Sequence, residues 1–128
     1  MNTPGKGPPA TSRGWRHVIA AAGYSMGGGR RLLAEPAGRL QCIMMALTLV
    51  VFLVSGVPAR AYGWLFIAFA ACLCVEALNT AIEMIVDRTS PEWSEYARDA
   101  KDLGSFAVFC MLTIFLGYAA FTVVPLWL

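Results

Sequence analysis

Charge is scarce in this sequence, and its scarcity argues against a water-soluble protein. Of the 128 residues only 14% are charged, whereas 58% are hydrophobic. Such a composition, with the apolar residues gathered in long runs, does not suit the core of a soluble domain of this length. The net charge of +2 by itself says little, and no nucleic-acid partner is expected.

Histidine and paired cysteines are also scarce. The chain has one histidine and four cysteines, and it contains no C-x-x-C motif. All four cysteines lie in apolar stretches, where cysteine behaves as a small packing residue. We therefore assign neither a disulfide nor a cysteine-bound metal.

Two familiar sequence features are missing, namely a phosphate-binding loop and a secretory signal peptide. There is no G-x-x-x-x-G-K-[ST] phosphate loop, because the glycine and arginine run at 25–31 (SMGGGRR) has a different spacing. The first apolar run begins at residue 40, after a polar and glycine-rich stretch, and no small-residue cleavage pattern follows it. Neither a P-loop enzyme nor a secretory signal peptide is therefore expected.

Long apolar stretches are the main feature that is present, at 40–57, 61–87 and 103–128. A helix needs about 20 apolar residues to cross the hydrocarbon core of a bilayer, and a helix satisfies its own backbone hydrogen bonds there. We therefore predict an all-α membrane protein with three transmembrane helices. A single domain at 13–128 would follow a disordered N-terminus at 1–12.

Basic residues are distributed unevenly around these spans, and their distribution predicts the topology. The connection between the first two spans contains only Arg60. Because positive charge stays on the cytoplasmic side, we expect a cytoplasmic N-terminus and a periplasmic C-terminus. The basic residues that would lie on the cytoplasmic side are Lys6, Arg13, Arg16, Arg30, Arg31, Arg39, Arg88, Arg98 and Lys101.

The segment before the first span predicts an amphipathic surface helix at about 13–34. Trp15 and Ile19 share its apolar side. The three glycines at 27–29 should weaken or break this helix, since each costs about 1 kcal/mol relative to alanine. Pro36 is expected near the first turn of the next helix, which would form the first span at about 38–57.

The connection after the second span is predicted to be short, at 88–90. Ser90, Pro91 and Glu92 combine an N-cap, a first-turn proline and a first-turn acid. A helix is therefore expected to begin at about 91 and to continue through the third span to 128.

One face of the second span is polar, and we call it the acidic seam: Glu76, Asn79, Glu83 and Asp87. On a helix these residues fall within an arc of roughly 80° and extend roughly 16 Å along the axis. An asparagine within a span commonly bonds to a neighbouring helix, and purely structural bonding is one interpretation of the seam. Two glutamates on one face, however, repel each other and either take up protons or bind a cation. An acid–base or metal-assisted site open to the cytoplasm is the interpretation we favour.

Further charged residues are expected at the same depth. Lys101 and Asp102 lie at the start of the third span, and Glu35 and Arg39 lie at the start of the first. Carboxylates that hold a divalent cation, beside basic residues that neutralise anionic oxygens, are what phosphoryl transfer requires. A non-catalytic ion-conducting or assembly subunit is the alternative. A conducting role would need polar residues throughout the second span, and residues 61–75 are apolar.

The segments EALNTAIEMIVDR at 76–88 and ARDAKDLGS at 97–105 together closely resemble the signature of the prokaryotic diacylglycerol kinase family of small membrane-bound lipid kinases. AAGYS at 21–25 also matches the surface helix of that family. The resemblance extends from residue 16 to residue 128. It implies three transmembrane helices plus a surface helix, and a homotrimer with shared active sites in the bacterial inner membrane. The implied reaction transfers a phosphoryl group from Mg-ATP to a lipid hydroxyl.

Carried over by position, the resemblance assigns Glu76 as the general base and Asn79 as the residue that orients Glu76 or the substrate. Glu83 and Glu35 would hold Mg²⁺. The residues that would bind the nucleotide are Tyr24, Glu83, Asp87, Lys101, Asp102, Arg16 and His17. The residues that would contact the lipid are Ser25, Glu76, Ser105 and Arg39.

The sequence departs from the family pattern at several positions. Near Glu35 the match needs a gap of one residue, and Pro36 interrupts the pattern. His17 stands where the family usually has arginine, and Gln41 stands where a second acid is expected. The family acts on diacylglycerol or on undecaprenol. The AGYS helix and the KDLGS ending resemble the diacylglycerol branch more closely, and undecaprenol is the alternative substrate.

Overall fold

The computed structural model describes residues 14–128, and the N-terminal tail that was predicted to be disordered lies outside them. The helices are α1 (Trp15–Ala34), α2 (Pro36–Val54), α3 (Ala59–Thr89) and α4 (Glu95–Val123), followed by a 3₁₀ turn at Val124–Leu126. No strand occurs among the described residues, and the all-α fold is confirmed. The described residues form two compact units, 14–31 and 32–128.

The first unit contains most of α1, whose side chains are exposed as far as Arg31. The expected break at the three glycines is wrong, since α1 continues through 27–29 and none of these glycines has a positive φ. The residues on either side include Ala, Met, Arg and Leu, which are among the strongest helix formers. Their preference is sufficient to carry the helix across the glycines.

The second unit contains three helices that are long and apolar enough to cross a membrane: Pro36–Val54, Ala59–Thr89 and Glu95–Leu126. They confirm the three predicted spans. Pro36 lies in the first turn of α2, as predicted, and Glu35 precedes it as the N-cap in an extended conformation. The turn between α2 and α3 contains Gly56, whose φ of +65° favours glycine.

The connection between α3 and α4 is longer than expected. Helix α4 begins at Glu95, and the hydroxyl of Ser94 accepts a hydrogen bond of 3.1 Å from the backbone N–H of Ala97. The prediction that Ser90 starts this helix is wrong, because Ser90 instead forms the C-cap of α3. Two long helices that reverse direction need several residues to connect them, and residues 90–94 make that connection.

The apolar core lies toward the turn between α2 and α3. Phe52, Leu65 and Phe115 are fully buried there, one from each helix. The hydroxyl of Tyr118 donates a 2.9 Å hydrogen bond to the carbonyl of Ala61, which links α4 to α3 at this end. The core therefore occupies one end of the three-helix unit, and the polar residues occupy the other.

Candidate active site

The acidic seam shows a gradient of exposure along α3. Glu76 and Asn79 are only 3% and 8% exposed, Glu83 is half-buried, and Asp87 is exposed. Beyond Glu76, toward the start of α3, the buried residues of this helix are apolar. The seam thus extends from the interior of the three-helix unit to one end of it.

Glu76 is held by a residue of the first span. The Nε2 of Gln41, on α2, donates a hydrogen bond of 2.9 Å to the Oε2 of Glu76, and both side chains are 3% exposed. Sequence reasoning identified Gln41 only as a departure from the family pattern. Burying a glutamine side chain inside an apolar span costs free energy. The presence of Gln41 there was therefore the sequence signal that could have identified it as a site residue.

Asn79 connects the seam to α4. Its Nδ2 donates a 2.9 Å hydrogen bond to the Oε1 of Glu83, four residues further along α3. Its Oδ1 is buried without a hydrogen-bond partner and lies against Gly104. A Cβ at position 104 would overlap this oxygen, so only glycine permits α4 to approach Asn79 so closely.

The buried carboxyl group of Glu76 interacts electrostatically with two other carboxyl groups. Glu83 and Glu35 are both within electrostatic range of Glu76. Like charges at short range repel strongly in a medium of low dielectric constant. A cation among these groups would relieve that repulsion.

The donor groups around Glu76 are chemically compatible with a magnesium ion that is shared with phosphate. Within residues 14–128 no group of three or more His, Cys, Asp or Glu residues is arranged to hold a metal. Mg²⁺ commonly binds one or two carboxylates together with substrate phosphates and water. Glu83 and Glu35 carry carboxylates of this type, and both act electrostatically on Glu76. The side-chain oxygens of Gln41 and Asn79, which are buried without a hydrogen-bond partner, are further hard acceptors.

A second polar group lies at the exposed end of the seam. The Nζ of Lys101, on α4, donates to the Oδ1 of Asp87 at 2.5 Å. Both residues line a cavity of about 300 Å³ under the connection between α3 and α4. The remaining lining residues combine an aromatic ring with polar groups: Val86, Ser90, Pro91, Glu92, Trp93, Ser94, Ala97 and Arg98. Trp93 and Arg98 were not among the predicted site residues.

An apolar groove runs between α3 and α4 beside Asn79, and its volume is about 480 Å³. Among the described residues that line it, Asn79 is the polar one, and it also belongs to the acidic seam. The other residues that line it are Val75, Leu78, Ile82, Ala100, Leu103, Gly104 and Ala107. Such a groove suits a hydrocarbon chain.

The remaining predicted site residues are exposed. Asp102 and Ser105 lie on α4, and Arg39 lies in the first turn of α2. The other four lie on α1, in the first unit: Arg16, His17, Tyr24 and Ser25. The hydroxyl of Ser25 donates to the carbonyl of Ala21 within that helix, at 3.0 Å. Ligand contacts for all seven stay predictions.

Known proteins are similar to this chain over most of its length. A sequence model of the prokaryotic diacylglycerol kinase family matches residues 23–123. A diacylglycerol kinase from a Sinorhizobium species is 45% identical over 118 residues, which are 92% of this chain and 86% of that protein. The diacylglycerol kinase of Pseudomonas aeruginosa is 36% identical over 104 residues, 79% of this chain and 83% of its own. That of Escherichia coli K12 is 35% identical over 102 residues, 79% of this chain and 84% of its own.

Proposed function

The chain belongs to the prokaryotic diacylglycerol kinase family, and on this premise we propose that it phosphorylates the free hydroxyl of diacylglycerol with Mg-ATP. The product is phosphatidic acid. The observation that supports this most directly is the burial of Glu76 within a membrane span, in a seam that continues through Glu83 to the exposed Asp87. A carboxylate at that depth is accessible to the hydroxyl group of a lipid, and the exposed end of the seam is accessible to a water-soluble nucleotide.

The reaction begins at the lipid hydroxyl. The Glu76 carboxylate accepts the hydroxyl proton as the hydroxyl oxygen bonds to the γ-phosphorus of ATP. The bond from that phosphorus to the bridging oxygen breaks, and ADP leaves with the electron pair. General-base catalysis of this kind contributes about 10²- to 10⁴-fold in rate.

Lipid reaches Glu76 laterally from the bilayer. The apolar groove between α3 and α4 is open to the surface of the three-helix unit and is lined in part by Asn79, which is one helical turn from Glu76. An acyl chain in this groove brings its glycerol end toward the seam. By the family resemblance, Ser105, Arg39 and Ser25 are further residues assigned to lipid contact.

ATP binds at the exposed end of the seam. Lys101 neutralises phosphate oxygens, and its partner Asp87 orients the ammonium group through their hydrogen bond. The ring of Trp93 in the adjoining cavity offers a surface on which a base can stack. The family resemblance also assigns nucleotide contacts to Asp102 and, on α1, to Arg16, His17 and Tyr24.

Glu83 and Glu35 hold Mg²⁺ in this proposal. When bound, the ion neutralises charge on the phosphate oxygens. Asn79 keeps the Oε1 of Glu83 oriented by donating a hydrogen bond to it.

The protein works as a homotrimer with shared active sites in the bacterial inner membrane, with its N-terminus in the cytoplasm. Support for an oligomer comes from the family and from the apolar side chains that all three spans of the single chain leave exposed, among them Leu47, Ile67 and Ile114. The basic residues that flank the acidic end support its cytoplasmic orientation.

Radiolabelled ATP offered to the purified protein in detergent, with diacylglycerol and undecaprenol in parallel reactions, tests the function. Label in phosphatidic acid is the expected result. Label in undecaprenyl phosphate alone would show the alternative branch of the family. Absence of lipid-dependent transfer from the folded protein would leave a non-catalytic membrane subunit as the better account.

A further inference from the structure

Gln41 is the only residue of α2 for which the structure gives a side-chain hydrogen bond to the acidic seam, among the described residues. It lies within an apolar span, and its side chain is as buried as that of Glu76. No role in the reaction has been assigned to it above. The bond joins the first span directly to the proposed general base.

The chemistry of the two groups determines how the amide of Gln41 is oriented. An ionised carboxylate only accepts hydrogen bonds, so the NH₂ group of the amide must face it. The amide oxygen then points away, and it is buried without a hydrogen-bond partner. A buried acceptor left unpaired costs about 1–3 kcal/mol. A hydrogen bond to a charged group contributes about as much, so the bond to Glu76 offsets this cost.

We propose that Gln41 is a positioning residue for Glu76 in the kinase reaction. It holds Oε2, and Oε1 is thereby turned toward the lipid hydroxyl and takes its proton. The terminal torsion of a glutamate has a broad energy profile, so without this bond the carboxylate would rotate. This inference rests on the proposed function, because it requires Glu76 to be the base.

An amide suits this task better than the acid that the family pattern led us to expect at position 41. A second carboxyl group could bond to Glu76 only if the two shared a proton, and a shared proton would reduce the capacity of Glu76 to accept another. The amide holds Glu76 while leaving it ionised.

The test compares Gln41→Met with the unaltered chain in the lipid kinase assay. Methionine has nearly the same length and volume as glutamine but donates no hydrogen bond. We expect kcat to fall by about 10- to 100-fold, since a displacement of about 1 Å at a reacting group can cost 10²-fold in rate. The KM values for lipid and for ATP should stay within about twofold, because Gln41 acts through Glu76 and not on either substrate.

Thr48→Val is the matched control. Thr48 lies seven residues further along the same face of α2, is 9% exposed, and bonds only within its own helix, to the carbonyl of Met44 at 2.8 Å. Removing this buried polar group should leave kcat unchanged. A similar fall in kcat for Thr48→Val would mean that any polar loss on this face disturbs the enzyme, and would overturn the specific role of Gln41.

Gln41→Asn provides a second variant that keeps an amide in the span but is one methylene too short to reach Glu76. Gln41→Asn should show the same loss in kcat, and it replaces Gln41→Met as the test variant if the methionine variant does not fold. Unchanged kcat in the folded variant, or a raised lipid KM at unchanged kcat, overturns the positioning role. If the unaltered chain itself transfers no phosphate, the proposed function fails instead, and the two failures are thus distinguishable.

Discussion

Glu76 is the residue on which the proposed chemistry depends most. It is 3% exposed, accepts a hydrogen bond from Gln41, and lies within electrostatic range of Glu83 and Glu35. Sequence periodicity placed the three acids and Asn79 on one face of α3. It did not indicate that a residue from α2 would bond to the deepest of them, because that pairing depends on how two helices pack.

Glu76→Gln should lower kcat by about 10²- to 10⁴-fold, the usual contribution of a general base. The amide has the same shape as the carboxyl group, so folding should be little affected. Steady-state kinase assays and thermal unfolding in detergent measure the two quantities. Glu95→Gln, at an exposed acid in the first turn of α4, is the control and should behave as the unaltered chain does. Activity retained by Glu76→Gln would exclude the assigned role.

Glu83→Gln should weaken the dependence of activity on Mg²⁺. Loss of one carboxylate ligand reduces the affinity for a hard cation, so more magnesium should be needed for half-maximal rate. A magnesium titration at saturating ATP and lipid measures this shift. An unchanged titration curve would contradict the role of Glu83 as a ligand.

Lys101→Ala should raise the KM for ATP by roughly tenfold or more, which corresponds to about 1.4 kcal/mol of lost binding energy. The variant removes the positive charge expected at the phosphates and leaves Asp87 without its partner. Arg88→Ala is the control, since Arg88 is an exposed cation in the last turn of α3 that does not line the cavity. Wild-type ATP kinetics for Lys101→Ala would remove this residue from the nucleotide site.

At the scale of the helices, the contact between α3 and α4 positions the site. These two helices pack more extensively against each other than any other pair. Gly104 lets α4 approach Asn79, and further along α4 Lys101 reaches Asp87. The close approach also shapes the apolar groove beside Asn79.

Gly104→Ala should reduce kinase activity strongly while the protein still folds. The new methyl group would overlap the Oδ1 of Asn79 and push that side chain away from Glu83. Overpacking of this kind typically costs about 1–3 kcal/mol, which thermal unfolding in detergent measures. Gly117→Ala on the same helix is the control, because no atom lies within 4 Å of its added Cβ. Full kinase activity in Gly104→Ala would show that the position of Asn79 does not matter.

At the scale of the whole molecule, the three spans expose most of their apolar surface in the single chain. Many large apolar side chains of α2, α3 and α4 are more than half exposed, among them Leu53, Phe66 and Phe109. Three long apolar helices with such surfaces fit a multi-pass membrane protein. Lipid and, in the proposed homotrimer, neighbouring protomers cover these surfaces.

The proposed topology can be tested on the intact chain with reporters fused to its C-terminus. A chain that crosses the membrane three times has its two termini on opposite sides. With the N-terminus in the cytoplasm, Leu128 is therefore expected in the periplasm. Alkaline phosphatase fused there should be active, and a fluorescent protein that folds only in the cytoplasm should be dark. The reverse pattern would invert the orientation and would place the acidic seam on the side of the membrane that lacks ATP.

Composition and spacing determined the class of fold, the three spans, the proline at the start of α2 and the polar face of α3. These are local properties, since apolar length and helical period are set by residues near one another in the chain. The tertiary structure decided the bond between Gln41 and Glu76, the contact of Gly104 with Asn79, and the N-cap of α4, which is Ser94 instead of Ser90. Each of these joins groups on different helices or depends on where the chain reverses direction. Their geometry follows from packing, which no local pattern of residues specifies.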